Sequence, residues 1–101
     1  MISEIRQHRV ELESLCREFH VRQLELFGSA LHEHFSNTSD LDFLVEFEAL
    51  PAVAYATAFL GFKEALERLF GRSVDLVVPS AIRNPYFRQS VQKDRALLYA
   101  A

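Results

Sequence analysis

Three short apolar runs constrain this chain more than anything else in it: VRQLELF at 21–27, LDFLVEF at 41–47 and SVDLVV at 73–78. Each is rich in Val, Leu and Phe and bounded by turn residues, which reads as a strand. In the first run, Leu24 and Leu26 form the expected buried face, opposite Val21, Gln23, Glu25 and Phe27, and Gly28 ends it. The intervening segments carry a helical period instead. From Ser3 to His20, the apolar residues Ile5, Leu12, Leu15, Cys16 and Phe19 recur at helical spacing with charges between them, predicting one amphipathic helix. Ala30 to Phe35 fits one or two helical turns, with Ser29 as N-cap and a loop at 36–39 after it.

Pro51 suits a first helical turn and Gly71 a C-terminal cap, so 51–70 reads as one long helix. Gly61 inside it costs about 1 kcal/mol relative to Ala. Pro79 stops the third strand, and Asn84-Pro85 opens a last helix reaching about Asp94. The tail ALLYA reads equally as a short strand or as the end of that helix. The order α-β-α-β-α-β-α predicts an α/β fold with a small sheet, as a single domain over 1–101.

Half of the residues are hydrophobic and nine are Phe, enough for a real core. A chain of this size buries only roughly 60–70% of its unfolded surface, so it is expected to be marginal or completed by a partner. A net charge of −3 argues against a general nucleic-acid binder, which would carry a basic stripe. One cysteine, Cys16, excludes an internal disulfide and fits a reducing, cytoplasmic setting. No apolar stretch approaches the ~20 residues of a membrane span, so no membrane association is expected.

The chain has four aspartates, and two of them, Asp40 and Asp42, stand one residue apart at the head of an apolar strand. A carboxylate beside a core costs several kcal/mol unless something pairs with it. Residues i and i+2 of a strand share a face, so the two carboxylates lie side by side, their Cα atoms roughly 6.5–7 Å apart. A hard divalent ion such as Mg²⁺ neutralises both and keeps positions open for water and substrate phosphates. Asp75 repeats the anomaly inside SVDLVV, and a strand placed beside 41–47 brings it to the same point. Three converging carboxylates suit two-metal phosphoryl or nucleotidyl transfer. Gly28-Ser29 supplies the complement: glycine permits close backbone approach, and a helix N-terminus after it offers N–H groups to phosphate.

The ordered set, Gly-Ser, then D-x-D ten residues on, then V-D-L-V after a helix, resembles the minimal nucleotidyltransferase family of the polymerase-β-like superfamily. The likeness runs through LFGS, SDLDFLVEF, VDLVV and the tail RNPYFRQSVQKDRALLYA, essentially the whole chain. It implies a small mixed sheet flanked by helices. It also implies that Asp40 and Asp42 bind Mg²⁺, that Asp75 joins them and orients or deprotonates the attacking hydroxyl, and that Gly28 and Ser29 form the phosphate-binding turn. Members of this size resemble the antitoxin half of a pair whose toxin is a helical HEPN ribonuclease, with AMP passing from ATP to a toxin tyrosine. The resemblance therefore implies ATP as substrate, a HEPN protein as partner and a hetero-oligomer. One departure stands out: where the family commonly has Arg-Gly after the turn, this chain has His32-Glu33. A carboxylate facing inward there would repel a triphosphate. The departure favours a second reading, in which the chain neutralises its partner by binding alone. A third, free-standing modification of a small molecule, is less expected, because 101 residues leave little extra structure for an acceptor pocket, although a second subunit could provide one.

Several other residues have plain readings. On a helix, His32 and His34 point apart and do not share a metal. Cys16 falls on an apolar helix face as a core residue. Tyr55, Phe59, Phe62 and Phe70 fit the packing of the long helix, and Arg83, Arg88, Lys93 and Arg95 fit a solvated basic face. Glu46 and Glu48 read as edge charges.

Overall fold

The computed structural model describes residues 2–27, 41–78 and 95–101. Within them run α1 (Ile2–Gln7), α2 (Arg9–Glu18), β1 (Val21–Phe27), β2 (Leu41–Phe47), α3 (Ala52–Phe70), β3 (Val74–Val77) and β4 (Arg95–Ala100). The sheet order is β3-β2-β1-β4. β1 pairs antiparallel with β2 and with β4, while β3 lies parallel to β2, so the sheet is mixed. The expected segment at 30–35 and the expected helix at 84–94 lie outside the described residues. The tail ALLYA belongs to a strand, because its backbone completes the free edge of β1.

The predicted helix over 3–20 is broken at His8. There the backbone turns to φ −102°, ψ 19°, and the His8 N–H donates to the Ile5 carbonyl at 3.1 Å, tightening the turn. The His8 ring then stands edge-on to Phe70, with centroids 5.8 Å apart, while Ile5 and Leu12 are both almost fully buried. A tertiary contact thus bends a segment whose period alone reads as continuous. At its other end α2 stops where His20 adopts φ 60°, left-handed backbone that His tolerates better than most side chains.

α3 follows the sequence reading with its start moved by one residue. Pro51 is the N-cap rather than the first helical residue, its carbonyl accepting from the Tyr55 N–H at 2.8 Å. Gly71 caps the end in left-handed backbone at φ 66°, its N–H donating to the Glu67 carbonyl. Gly61 has a reason that periodicity does not reveal. A Cβ there would meet Phe19 Cε1 at 2.6 Å, so the glycine is where the aromatic residue capping α2 packs onto α3. Phe19 is itself held against Phe62, with centroids 6.0 Å apart. Gly61→Ala is therefore expected to lose about 1 kcal/mol net, overpacking outweighing the gain in helix propensity. In a Phe19→Leu background the same change should turn stabilising, a sign reversal that paired urea melts would read.

The helices cover one face of the sheet. Ile5, Leu12 and Cys16 meet Leu24 and Leu26 of β1, Leu41, Phe43 and Val45 of β2, Val74 of β3, and Phe62 and Leu66 of α3. The two leucines predicted to face inward from β1 are fully buried. Val21 joins them, against the simple alternation, because the β1–β2 register shifts between Val21 and Gln23 and the extra residue turns Val21 to the core. The aromatic residues of α3 pack as expected: Phe47 contacts Tyr55, Phe59 and Phe62, and Phe43 stacks with Phe70. No described helix is long and apolar enough to cross a membrane.

Cys16 has no exposed surface, and its thiol is pushed up to about 12, mainly by burial and further by Glu13, with Arg17 opposing. That is the reverse of a reactive thiol, which needs a lowered pKa. Because the folded value lies above the unfolded one, the unfolded chain releases this proton first. Stability is thus fully present below pH 9 and declines between pH 9 and 12. Thiol-specific reagents should label Cys16 only as fast as the protein opens, and labelling of the native protein at the rate of a free thiol would contradict its place in the core.

Candidate active site

Period two along β2 sends Leu41, Phe43 and Val45 to the helix-covered face and Asp42, Leu44 and Glu46 to the other. Asp42 is thus aimed away from the main core by the same alternation that anchors its neighbours in it. In the parallel pairing of β2 with β3, Asp42 stands opposite Asp75. Residues in register on adjacent strands project to the same face, with strands about 4.8 Å apart. Asp42 is half-buried and Asp75 exposed, so one carboxylate is set into the sheet and the other looks to solvent. On its other side Asp42 pairs with Phe27, and Phe27 pairs with Arg95. One row across the four strands therefore reads Asp75, Asp42, Phe27, Arg95.

This face also carries apolar residues. Phe27 and Leu44 are buried, at 7% and 3% exposure, with Val77 packed against them. Two like charges beside an apolar floor repel in a medium less screening than water, and a cation shared between them removes that repulsion. The donors are carboxylate oxygens, which suit a hard ion such as Mg²⁺ rather than a thiolate- or imidazole-seeking metal.

Asp40, Gly28 and Ser29, together with His32 and Glu33, lie outside the described residues. Their immediate neighbours in the chain do not. Phe27, directly before Gly28, is the strand partner of Asp42. Leu41, directly after Asp40, pairs with Val74, and its N–H donates to the Ser73 carbonyl at 3.0 Å. Among the described residues, two acidic groups meet at this row and no cluster of three potential metal ligands occurs.

Alternation along β1 puts Glu25 on the face opposite Leu24 and Leu26, yet it is only 8% exposed. It lies one row from Asp42 on the same face, opposite Leu44 and Leu97, and its Oε1 accepts from Gln23 Nε2 at 2.9 Å. The signal in the sequence was its parity with Phe27, an aromatic residue that also needs cover. Glu46, on the same face, sits four residues along β2 from Asp42, roughly 13 Å away by the strand rise. Glu48 lies past the strand, exposed, with Oε2 3.8 Å from His20 Nδ1, in keeping with an edge charge.

Residues 8–98 match the family model described as a nucleotidyltransferase domain. The chain is 36% identical over 77 residues to the protein adenylyltransferase MntA of Thermococcus cleftensis, a match covering 76% of this chain and 72% of that one. Among solved structures, one provisionally described as a minimal nucleotidyltransferase superposes with a TM-score of 0.73 at 30% identity, covering 91% and 90% of the two chains. A second, the tri-AMPylated HEPN toxin of Shewanella oneidensis in complex with its MNT antitoxin, gives a TM-score of 0.63 at 19% identity, covering 95% of this chain and 72% of that one. At that identity the second match speaks for the fold alone. The mixed sheet, the facing aspartates and a family match over nearly the whole length agree: this chain belongs to the nucleotidyltransferase domain family.

Proposed function

We propose that this protein is an antitoxin that transfers AMP from ATP to a hydroxyl, most simply a tyrosine, of a HEPN-type ribonuclease partner in the cytoplasm. The observation that carries the reading is the register of Asp42 with Asp75 in the row that also contains Phe27, the residue before Gly28-Ser29. The activity named for the Thermococcus relative supports adenylyl transfer to a protein, and the AMPylated toxin of the Shewanella complex is an acceptor of the proposed kind bound to a protein of the same fold.

In this reading Asp40, Asp42 and Asp75 hold Mg²⁺, which when bound supplies charge neutralisation for the triphosphate. Gly28 and Ser29 receive the β- and γ-phosphates through backbone N–H groups. Asp75, the exposed carboxylate, orients the acceptor hydroxyl and accepts its proton. The hydroxyl oxygen bonds to the α-phosphorus as the bond from that phosphorus to the bridging oxygen breaks, and pyrophosphate leaves. Catalysis is then mainly positioning and charge stabilisation, terms that a rigid strand pair delivers well.

The binding-only reading keeps one specific observation in its favour, His32-Glu33 at the position where the family commonly has Arg-Gly. Incubation with α-labelled ATP, Mg²⁺ and a purified HEPN partner separates the two. Label on the partner, with parallel loss of its RNase activity, supports transfer. Loss of RNase activity without label, and without any need for ATP, would leave a binding antitoxin.

A further inference from the structure

The sheet face that carries Asp42 is unevenly charged. Among its described residues paired in register, four are acidic, Glu25, Asp42, Glu46 and Asp75, and one is basic, Arg95. Glu25 is the most buried of the four, at 8% exposure. A carboxylate withdrawn this far from water is costly to keep charged without a cation close by. Gln23 Nε2 donates to one of its oxygens at 2.9 Å, but that donor is neutral. In the pairing of β1 with β4, Glu25 stands opposite Leu97 and Phe27 opposite Arg95. Arg95 therefore holds the position diagonal to Glu25 on the same face, a separation that long side chains span.

The same register puts Arg95 in the row of the aspartates. Asp75, Asp42, Phe27 and Arg95 follow one another across the four strands. Arg95 is two strand spacings from Asp42, roughly 9–10 Å. Phe27, between them, is the last residue before Gly28-Ser29. The proposed phosphate turn is thus flanked by carboxylates on one side and by an arginine on the other. From Gly28 to Asp40 the chain has no lysine or arginine, so the segment that follows the turn brings no permanent cation of its own. A triphosphate fits that polarity. The cation held by the aspartates neutralises one end of it, and the other end needs a positive group beyond their reach. A guanidinium has five donors in a planar fork, enough to meet a carboxylate along one edge and phosphate oxygens along another.

We propose that Arg95 binds the β- and γ-phosphates of the nucleotide, and that Glu25 is a positioning residue that fixes the guanidinium for this contact. The inference rests on the proposed activity and adds a substrate-binding residue to it.

Binding of ATP with Mg²⁺ to the full chain, read by isothermal titration calorimetry, tests the proposal beside AMP, which lacks the two outer phosphates. Arg95→Met should weaken ATP roughly 10–100-fold, the size of a lost charge-assisted contact, while AMP changes less than about threefold. Arg95→Lys, which keeps the charge without the fork, should fall between. Glu25→Gln should weaken ATP by about three- to tenfold, and should add nothing further in an Arg95→Met background, because it acts through the arginine. Melts without nucleotide would verify the fold of each variant. Arg95→Met that binds ATP as the wild type does overturns the proposal, as does an equal loss for ATP and AMP, the mark of a purely structural arginine. A full additive loss in the double variant overturns the role of Glu25. Indifference of ATP binding to Arg95→Met, in a protein that still labels its partner, ends this inference alone. A wild type that binds no nucleotide ends both it and the proposed activity.

Discussion

Asp42→Asn is expected to reduce AMP transfer by roughly 10²–10³-fold or more while leaving the fold in place, the size of effect seen when one charge-stabilising group is removed from a preorganised site. The substitution is nearly isosteric and keeps an oxygen in the same position on β2, so strand pairing with Phe27 and Asp75 survives. What is lost is one unit of negative charge at the point where the proposed cation sits between two strands. A thermal melt near that of wild type, together with abolished label on the partner, would tie Asp42 to chemistry rather than to structure. Full activity in Asp42→Asn would end the metal-site assignment. Neutralisation of the partner that survives the loss of transfer would move the protein to the binding-only reading.

Phe62→Ala should have the largest effect on stability, a loss of about 3–5 kcal/mol. Phe62 is fully buried and sits between Phe19, the C-cap of α2, and Phe47 of β2. Removing the ring opens a cavity where α2, α3 and the sheet meet, and none of the three can close it without leaving the others. Folded domains of this size hold a margin of about 5–15 kcal/mol, so the variant forfeits a large share of it. Urea melts of Phe62→Ala beside Phe62→Leu measure this. A loss under about 1 kcal/mol would contradict the full burial of Phe62 between Phe19 and Phe47.

Local rules reached far into this fold. The three strands, the long helix with its left-handed Gly71 cap and the buried Leu24/Leu26 face follow from period and turn chemistry within a few residues. Where contacts distant in sequence compete with local preference, the reading failed or stopped. The break at His8 comes with packing on Phe70, and the inward turn of Val21 comes from a bulge opposite Phe47. Gly61, a mere cost by propensity, is the seat of Phe19. Glu25 looked solvent-facing because alternation says which residues share a face, not whether that face is covered.

The sequence by itself determined which residue types could do chemistry here, aspartates at strand heads and a Gly-Ser break after the first strand, and set Cys16 apart from them on an apolar helix face. Tertiary structure alone decided that Asp42 and Asp75, on strands separated by the whole of α3, stand side by side, and that ALLYA completes the sheet next to β1. The physical reason is that alternation sets a side chain's face, whereas its neighbour across the sheet depends on which strands pair and in what register. That register is chosen by the shared burial of Leu41, Phe43, Val45 and Val74 under the helices, since a slip of one residue would carry the carboxylates into the core.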